Sequence, residues 1–248
     1  MNGLSMQKFE HPLNERTRIY LRIESLFRKL GHSADLTQPF EYQIFFSSLF
    51  NMLDILEQIQ VKADLGKDLE KLRLQYRSWM NIEGVDQSAL LSVLEQISLV
   101  HKNLMQTTRP GHSLKEDRFL SALKQRFFIP GGDCCFDLPA LHHWLHLPLE
   151  TRCRNTHHWM SQLLSLSDAL SLWLRLTRET ARFEPKIARN GFMQSEMENS
   201  NLLRLEIPVD NGVYPMISGH KNRFALRFIS FETNKNYEKD IEFRLAVC

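Results

Sequence analysis

Leu203-Arg204-Leu205-Glu206-Ile207 alternates apolar and charged residues. The same period of two returns in Arg223-Phe224-Ala225-Leu226-Arg227-Phe228 and in Ile241-Glu242-Phe243-Arg244-Leu245. Side chains two apart share one face of a pleated strand, so each run reads as a half-buried β-strand. Asn190-Gly191, Asn211-Gly212 and Thr233-Asn234-Lys235-Asn236 supply turns between such runs. Beyond about Pro185 the chain is therefore expected to form an antiparallel sheet with one wet face. Residues 194–201, rich in Ser, Asn and Glu, read as a mobile loop.

Upstream the period is helical. Asn14 is placed to cap a helix from Glu15, with Ile19, Ile23, Leu26, Phe27 and Leu30 on its buried face and Gly31 at its end. Residues 39–59 are apolar around much of the circumference, so that helix should be enclosed. Leu65, Leu69, Leu72, Tyr76 and Trp79 form the stripe of a third helix, and Leu90, Leu94, Ile97, His101 and Leu104 that of a fourth starting near Asp86. Two antiparallel helices with a short loop fit that pair. Ser113 and Glu116 resemble a capping box opening a helix over 114–126. Cys134-Cys135-Phe136 should be extended, Asp137 and Pro139 should open a short helix, and 149–183 should be helical with a break at Ser165 and Asp168. The fold class is α+β: an N-terminal antiparallel helical bundle over 1–183 and a C-terminal antiparallel β domain over 184–248. Short extended segments at the N-terminus and at 128–137 are positioned to join the sheet.

Composition removes several function classes. In 248 residues, 43% are hydrophobic and 24% charged, the profile of an ordinary globular chain rather than a disordered one. Basic residues number 31 and acidic ones 29, a net charge of +2 that is too even for a protein that coats nucleic acid, so a basic site must be local. Apolar runs are far shorter than the ~20 residues that cross a bilayer, and the start Met-Asn-Gly-Leu-Ser-Met has no signal pattern. A cytosolic protein is expected. Cys134, Cys135, Cys153 and Cys248 include no Cys-x-x-Cys and read as reduced thiols.

Three constellations carry chemistry. Ile129-Pro130-Gly131-Gly132-Asp133 is the paired-glycine segment, but it lacks the Lys and Ser or Thr of a phosphate loop and reads as a structural turn. His142 and His146, one helical turn apart, sit with His143 between Cys134 and Cys135 upstream and Cys153, His157 and His158 downstream. That spacing lets two imidazoles share an ion. Against a metal stand the surrounding Leu141, Trp144, Leu145 and Leu147, which favour plain packing. A Cys-His-Asp nucleophile built from Cys134 or Cys135, His142 and Asp137 would need an electropositive setting. The third constellation is basic: Arg18 and Arg22 one turn apart, Lys115 and Arg118 on the first turns of another helix, and Lys221, Arg223 and Arg227 on one strand. Each alone is solvated decoration. Together, near the junction of bundle and sheet, they would form a shallow cationic groove that forks onto the carboxylates of an acidic peptide.

Several long motifs are similar to one family. Phe-Glu-His-Pro-Leu-Asn-Glu at 9–15, Leu-Arg-Ile-Glu at 21–24, Gly-Val-Asp-Gln-Ser at 84–88 and Lys-Glu-Asp-Arg at 115–118 resemble the ZapD family of FtsZ-associated cell-division proteins. So do Ile-Pro-Gly-Gly-Asp-Cys-Cys-Phe-Asp-Leu-Pro at 129–139, Leu-His-His-Trp-Leu-His-Leu-Pro at 141–148, Tyr-Pro-Met-Ile-Ser-Gly-His-Lys-Asn-Arg-Phe-Ala at 214–225 and the closing Phe-Arg-Leu-Ala-Val-Cys. The resemblance implies a cytoplasmic, non-enzymatic homodimer without cofactors that binds the C-terminal tail of FtsZ and bundles its filaments at the division ring. It further implies a tail-binding basic pocket of Arg18, Arg22, Arg118, His142 and Arg223, with Lys115, Lys221 and Arg227 as secondary candidates. The rivals are a metal- or thiol-dependent enzyme centred on residues 134–146 and a nucleic-acid-binding module using the same arginines.

Overall fold

A computed structural model describes residues 5–248 apart from Pro39, Asp133, Asn199, Lys221 and Asn222. After β1 (Met6–Pro12) the Asn14 carboxamide accepts from the Thr17 N–H at 2.8 Å and opens α1 (Glu15–Ser33). The helix does not stop at Gly31. It runs on to Ser33, whose hydroxyl donates to the Lys29 carbonyl at 2.7 Å. In α2 (Glu41–Gln58) Phe45, Phe46, Leu49, Met52, Leu53 and Leu56 are all buried, as an apolar circumference requires. Next, α3 (Val61–Ser78) packs on α4 (Gln87–Gln106). Lys62 in the first turn of α3 donates to the Met105 carbonyl at the end of α4, so the pair is antiparallel. Asp86 caps α4, accepting from the Ser88 and Ala89 N–H groups at 2.9 and 3.1 Å.

The helix expected over 114–126 is two, α5 (His112–Glu116) and α6 (Arg118–Phe127). Asp117 takes an extended backbone and its side chain accepts from the Leu120 N–H at 2.9 Å, so it outcompetes Ser113 as a cap. Ser113 lies inside α5 and its hydroxyl donates to Gln162. Residues 134–137 are a turn, not extended: the N–H groups of Asp137 and Leu138 both reach the Cys134 carbonyl, at 3.0 and 2.9 Å. Leu138 rather than Asp137 precedes α7 (Pro139–Leu145). The next helix breaks just ahead of Ser165, giving α8 (Leu149–Ser161) and α9 (Leu164–Glu179).

The strands are β2 (Glu184–Ala188), β3 (Phe192–Glu196), β4 (Leu202–Pro208), β5 (Val213–His220), β6 (Arg223–Ser230) and β7 (Ile241–Val247). They form two antiparallel sheets instead of one, ordered β1-β4-β7-β2 and β3-β6-β5. Asn190 and Gly191, both at positive φ, make the tight turn that parts β2 from β3. A Cβ on Gly191 would sit 2.0 Å from the Tyr237 carbonyl oxygen, so that turn also needs glycine for room. β3 takes Gln194, Ser195 and Glu196 out of the segment expected as a loop.

The alternating residues of both sheets share one core: Leu203, Leu205, Ile207, Phe224, Leu226, Phe228, Ile241, Phe243 and Leu245. The other face of β4 is not wet. Leu202, Ala246 and Cys248 pack there with Leu21, Ala181 and Phe183. The Arg204 and Arg244 guanidinium groups lie 5.1 and 5.5 Å from the Phe183 ring centre. Glu206, buried on that face, is held by Lys8 at 3.1 Å and Arg244 at 2.8 Å. Charged residues at alternate positions thus face a second layer, because their charges find partners.

The chain divides into two compact units, Met1–Leu21 with Leu174–Cys248, and Arg22–Trp173. The helical unit is centred on Phe46, whose ring lies 5.3–6.1 Å from those of Phe50, Phe119, Phe127, Trp144 and Trp159. Cys134 and Cys135 are exposed thiols, Cys153 is half-buried and Cys248 buried, all unpaired.

Candidate functional site

Arg118 is the first residue of α6 and is exposed. Its backbone is fixed from beneath, since the Asp117 carboxylate both caps α6 and accepts from the Trp159 indole N–H at 3.3 Å. His142 is exposed on α7, between the buried Leu141 and, two residues on, Trp144. Trp144 donates to Asn155 at 3.0 Å, which locks α7 to α8. α6 and α7 pack on each other, so Arg118 and His142 stand on neighbouring, well-anchored helices. Lys115 sits on the separate helix α5, where its ammonium meets the Glu57 carboxylate at 2.6 Å. That contact holds the Glu57 carboxyl below the usual carboxylate range. Arg22 is exposed on α1.

Those four residues belong to the helical unit, whereas Arg18, Arg223 and Arg227 belong to the other. Arg18 is half-buried and is held by Glu15 at 3.1 Å, an i to i+3 pair on α1. Burial first, then the Arg18 charge, pushes the His11 imidazole below its ordinary value. Arg223 and Arg227 lie on the solvent face of β6, opposite Phe224, Leu226 and Phe228. Strand register sets Arg223 across from Glu196 on β3, and the two side chains pair at 3.1 Å with 78% of each exposed. Register also sets Arg227 against Phe192, where the guanidinium stacks 4.9 Å from the ring centre. Lys221 lies outside the described residues.

The acidic partners Glu15, Glu57 and Glu196 were absent from the sequence reading. The first was visible as a helical i to i+3 neighbour of Arg18. The other two depend on which strands and helices meet, which spacing along the chain does not encode.

The histidine and cysteine cluster is not gathered. Among the described residues no three His, Cys, Asp or Glu converge where an ion could sit. His142 and His146 rings lie 4.5 Å apart, yet the His146 Nδ1 is 2.7 Å from the His142 carbonyl oxygen, a local bond that closes the end of α7.

The cell-division protein family model ZapD matches residues 21–227. A protein of Aliivibrio fischeri named Cell division protein ZapD is 92% identical over the full length of both chains. The chain belongs to the ZapD family. A relative of the same name from Vibrio atlanticus is 59% identical over 241 residues, 97% of this chain and 98% of its own. One from Vibrio cholerae is 56% identical over 245 residues, 99% of this chain and all of its own. The ZapD family is named for cell division and not for a chemical reaction. No described helix is long and apolar enough to cross a membrane.

Proposed function

We propose that the chain is a non-enzymatic division factor that binds the acidic C-terminal tail of FtsZ and, as a homodimer, cross-links FtsZ filaments into bundles in the cytoplasm at mid-cell. Arg22, Arg118 and His142 on the helical unit and Arg18 and Arg223 on the other carry the tail, with Lys115, Lys221 and Arg227 as secondary cations. What supports this most is a set of exposed guanidinium groups, Arg118 foremost, held by capped and packed elements in a chain of a cell-division family. A guanidinium forks onto a carboxylate through two parallel N–H donors, so pre-positioned arginines suit a disordered acidic segment that must be ordered on binding.

One such contact decorates a filament. Two copies related by symmetry hold two filaments, and the density of tails on a polymer reinforces each weak contact through effective concentration. Exposed charges are screened over about 8 Å at physiological ionic strength, so tail binding weakens as salt rises. The test is a fluorescence-anisotropy titration of a labelled FtsZ tail peptide. Arg118→Glu and Arg223→Glu lose binding while circular dichroism and sedimentation stay those of the parent. Undiminished binding by both variants contradicts the assignment.

A further inference from the structure

A second cationic surface lies on the helical unit alone. Ser25, Arg28, Lys29 and His32 fall on one face of α1, and with Glu41 and Ile44 of α2 they line an open groove of about 440 Å³. Arg28, Lys29 and His32 are exposed and make no ion pair with a described residue. Of the acids close by, Glu41 lines the groove and is oriented by neutral donors, so it offsets one of the two full cations, Arg28 and Lys29. Glu41 accepts from the Gln38 N–H at 3.0 Å and from the Thr37 hydroxyl at 3.3 Å, and Asp35 pairs with His157 at 3.2 Å.

The groove is also apolar. Ile44 is 49% exposed, and Phe40, which precedes Glu41 directly, is 63% exposed. Phe40 has φ of 68° and Leu36 has φ of 50°, left-handed conformations that bulky side chains rarely adopt. Strain of that kind persists where the fold imposes it, and it concentrates at ligand clamps. The groove thus sets Arg28, Lys29 and the His32 imidazole against a single carboxylate, Glu41, beside the exposed Ile44, with the exposed Phe40 at the entry to α2.

We propose that this groove docks an acidic peptide segment carrying an apolar side chain. The carboxylates meet Arg28, Lys29 and His32, and the apolar group lies on Ile44 and Phe40. Charge complementarity selects the occupant: a surplus of positive charge excludes a basic helix, and the exposed Ile and Phe disfavour a purely polar anion. The site uses none of the residues assigned to the FtsZ tail.

The probe is the fluorescein-labelled peptide Glu-Asp-Leu-Phe-Glu-Asp-Leu, titrated with the full chain by anisotropy. In an Arg118→Glu/Arg223→Glu background probe binding persists, which separates this groove from the tail-binding residues. Adding Arg28→Glu and Lys29→Glu weakens it at least about tenfold, since hydrogen bonds to charged groups contribute on that scale. Ile44→Ser, which leaves charge unchanged, weakens it by about fivefold through lost apolar contact. Replacing Leu and Phe of the probe by Ser has the same effect. The proposal fails if Arg28→Glu/Lys29→Glu binds the probe like its parent, or if Ile44→Ser and the Ser-substituted probe change nothing. It also fails if duplex DNA or anionic vesicles bind through these residues while the peptide does not.

Discussion

Glu196→Gln is the perturbation that isolates the role of Arg223. In the free protein the Arg223 guanidinium rests on Glu196 at a single contact of 3.1 Å, and 78% of each side chain is exposed. An incoming carboxylate must displace Glu196 and also feels its negative charge. Exposed pairs contribute about 0.2–1 kcal/mol, which converts to an increase in tail affinity of up to about fivefold when the competitor is neutralised. Glutamine keeps the size of the side chain and strand β3, so folding should not change. The assay is anisotropy of a labelled FtsZ tail peptide at low salt and again near physiological salt. Tighter binding at low salt, shrinking as salt is added, is the expected outcome, because the effect is a screened charge interaction. Unchanged or weaker binding at low salt refutes the idea that Arg223 gives up Glu196 for the tail.

Phe46→Ala should destabilise the protein by about 3–5 kcal/mol, the range for emptying a buried phenyl site, and a denaturant melt followed by tryptophan fluorescence reads it because Trp144 and Trp159 line the hole. Glu10 contributes to the acid limb. Burial raises its carboxyl pKa, but the hydrogen bonds and charges of Arg178 and Arg204 outweigh that and hold it below its unfolded value of 4.5. Its contribution is therefore present above pH 4.5 and lost as pH falls through the lower folded value, so Glu10→Gln is less stable than the parent at neutral pH and the difference closes in acid melts. His11 titrates earlier. Its folded pKa is depressed below 6.5, so stability declines once pH falls through 6.5, where the unfolded chain takes up a proton that the folded one resists. His11→Gln should remove that first step in pH-dependent melting.

The α+β class was legible because two periods, 3.6 and 2, occupy different parts of the chain. Asn14 was readable as a cap since its reach is three residues. What local pattern missed was decided by competition or by distant partners. Asp117 beat Ser113 as a cap because its carboxylate is held by Trp159 as well as by Leu120. Arg204 and Glu206 looked solvent-facing, yet Lys8, Glu10, Phe183 and Arg244 close over that side of β4. The split into two sheets follows from the pairing of β1 with β4, residues about 200 positions apart. For the site, the cationic residues were nameable one by one. Their restraint by Glu57 and Glu196 was not, since it depends on helix contacts and strand register.

In the proposed function, tail capture by these basic residues turns a paired molecule into a tether between filaments. Co-sedimentation with FtsZ filaments that do or do not carry the C-terminal tail addresses it most directly. With tail capture as the link, the protein pellets with, and bundles, only tailed filaments. Equal pelleting and bundling of tail-less filaments would contradict it.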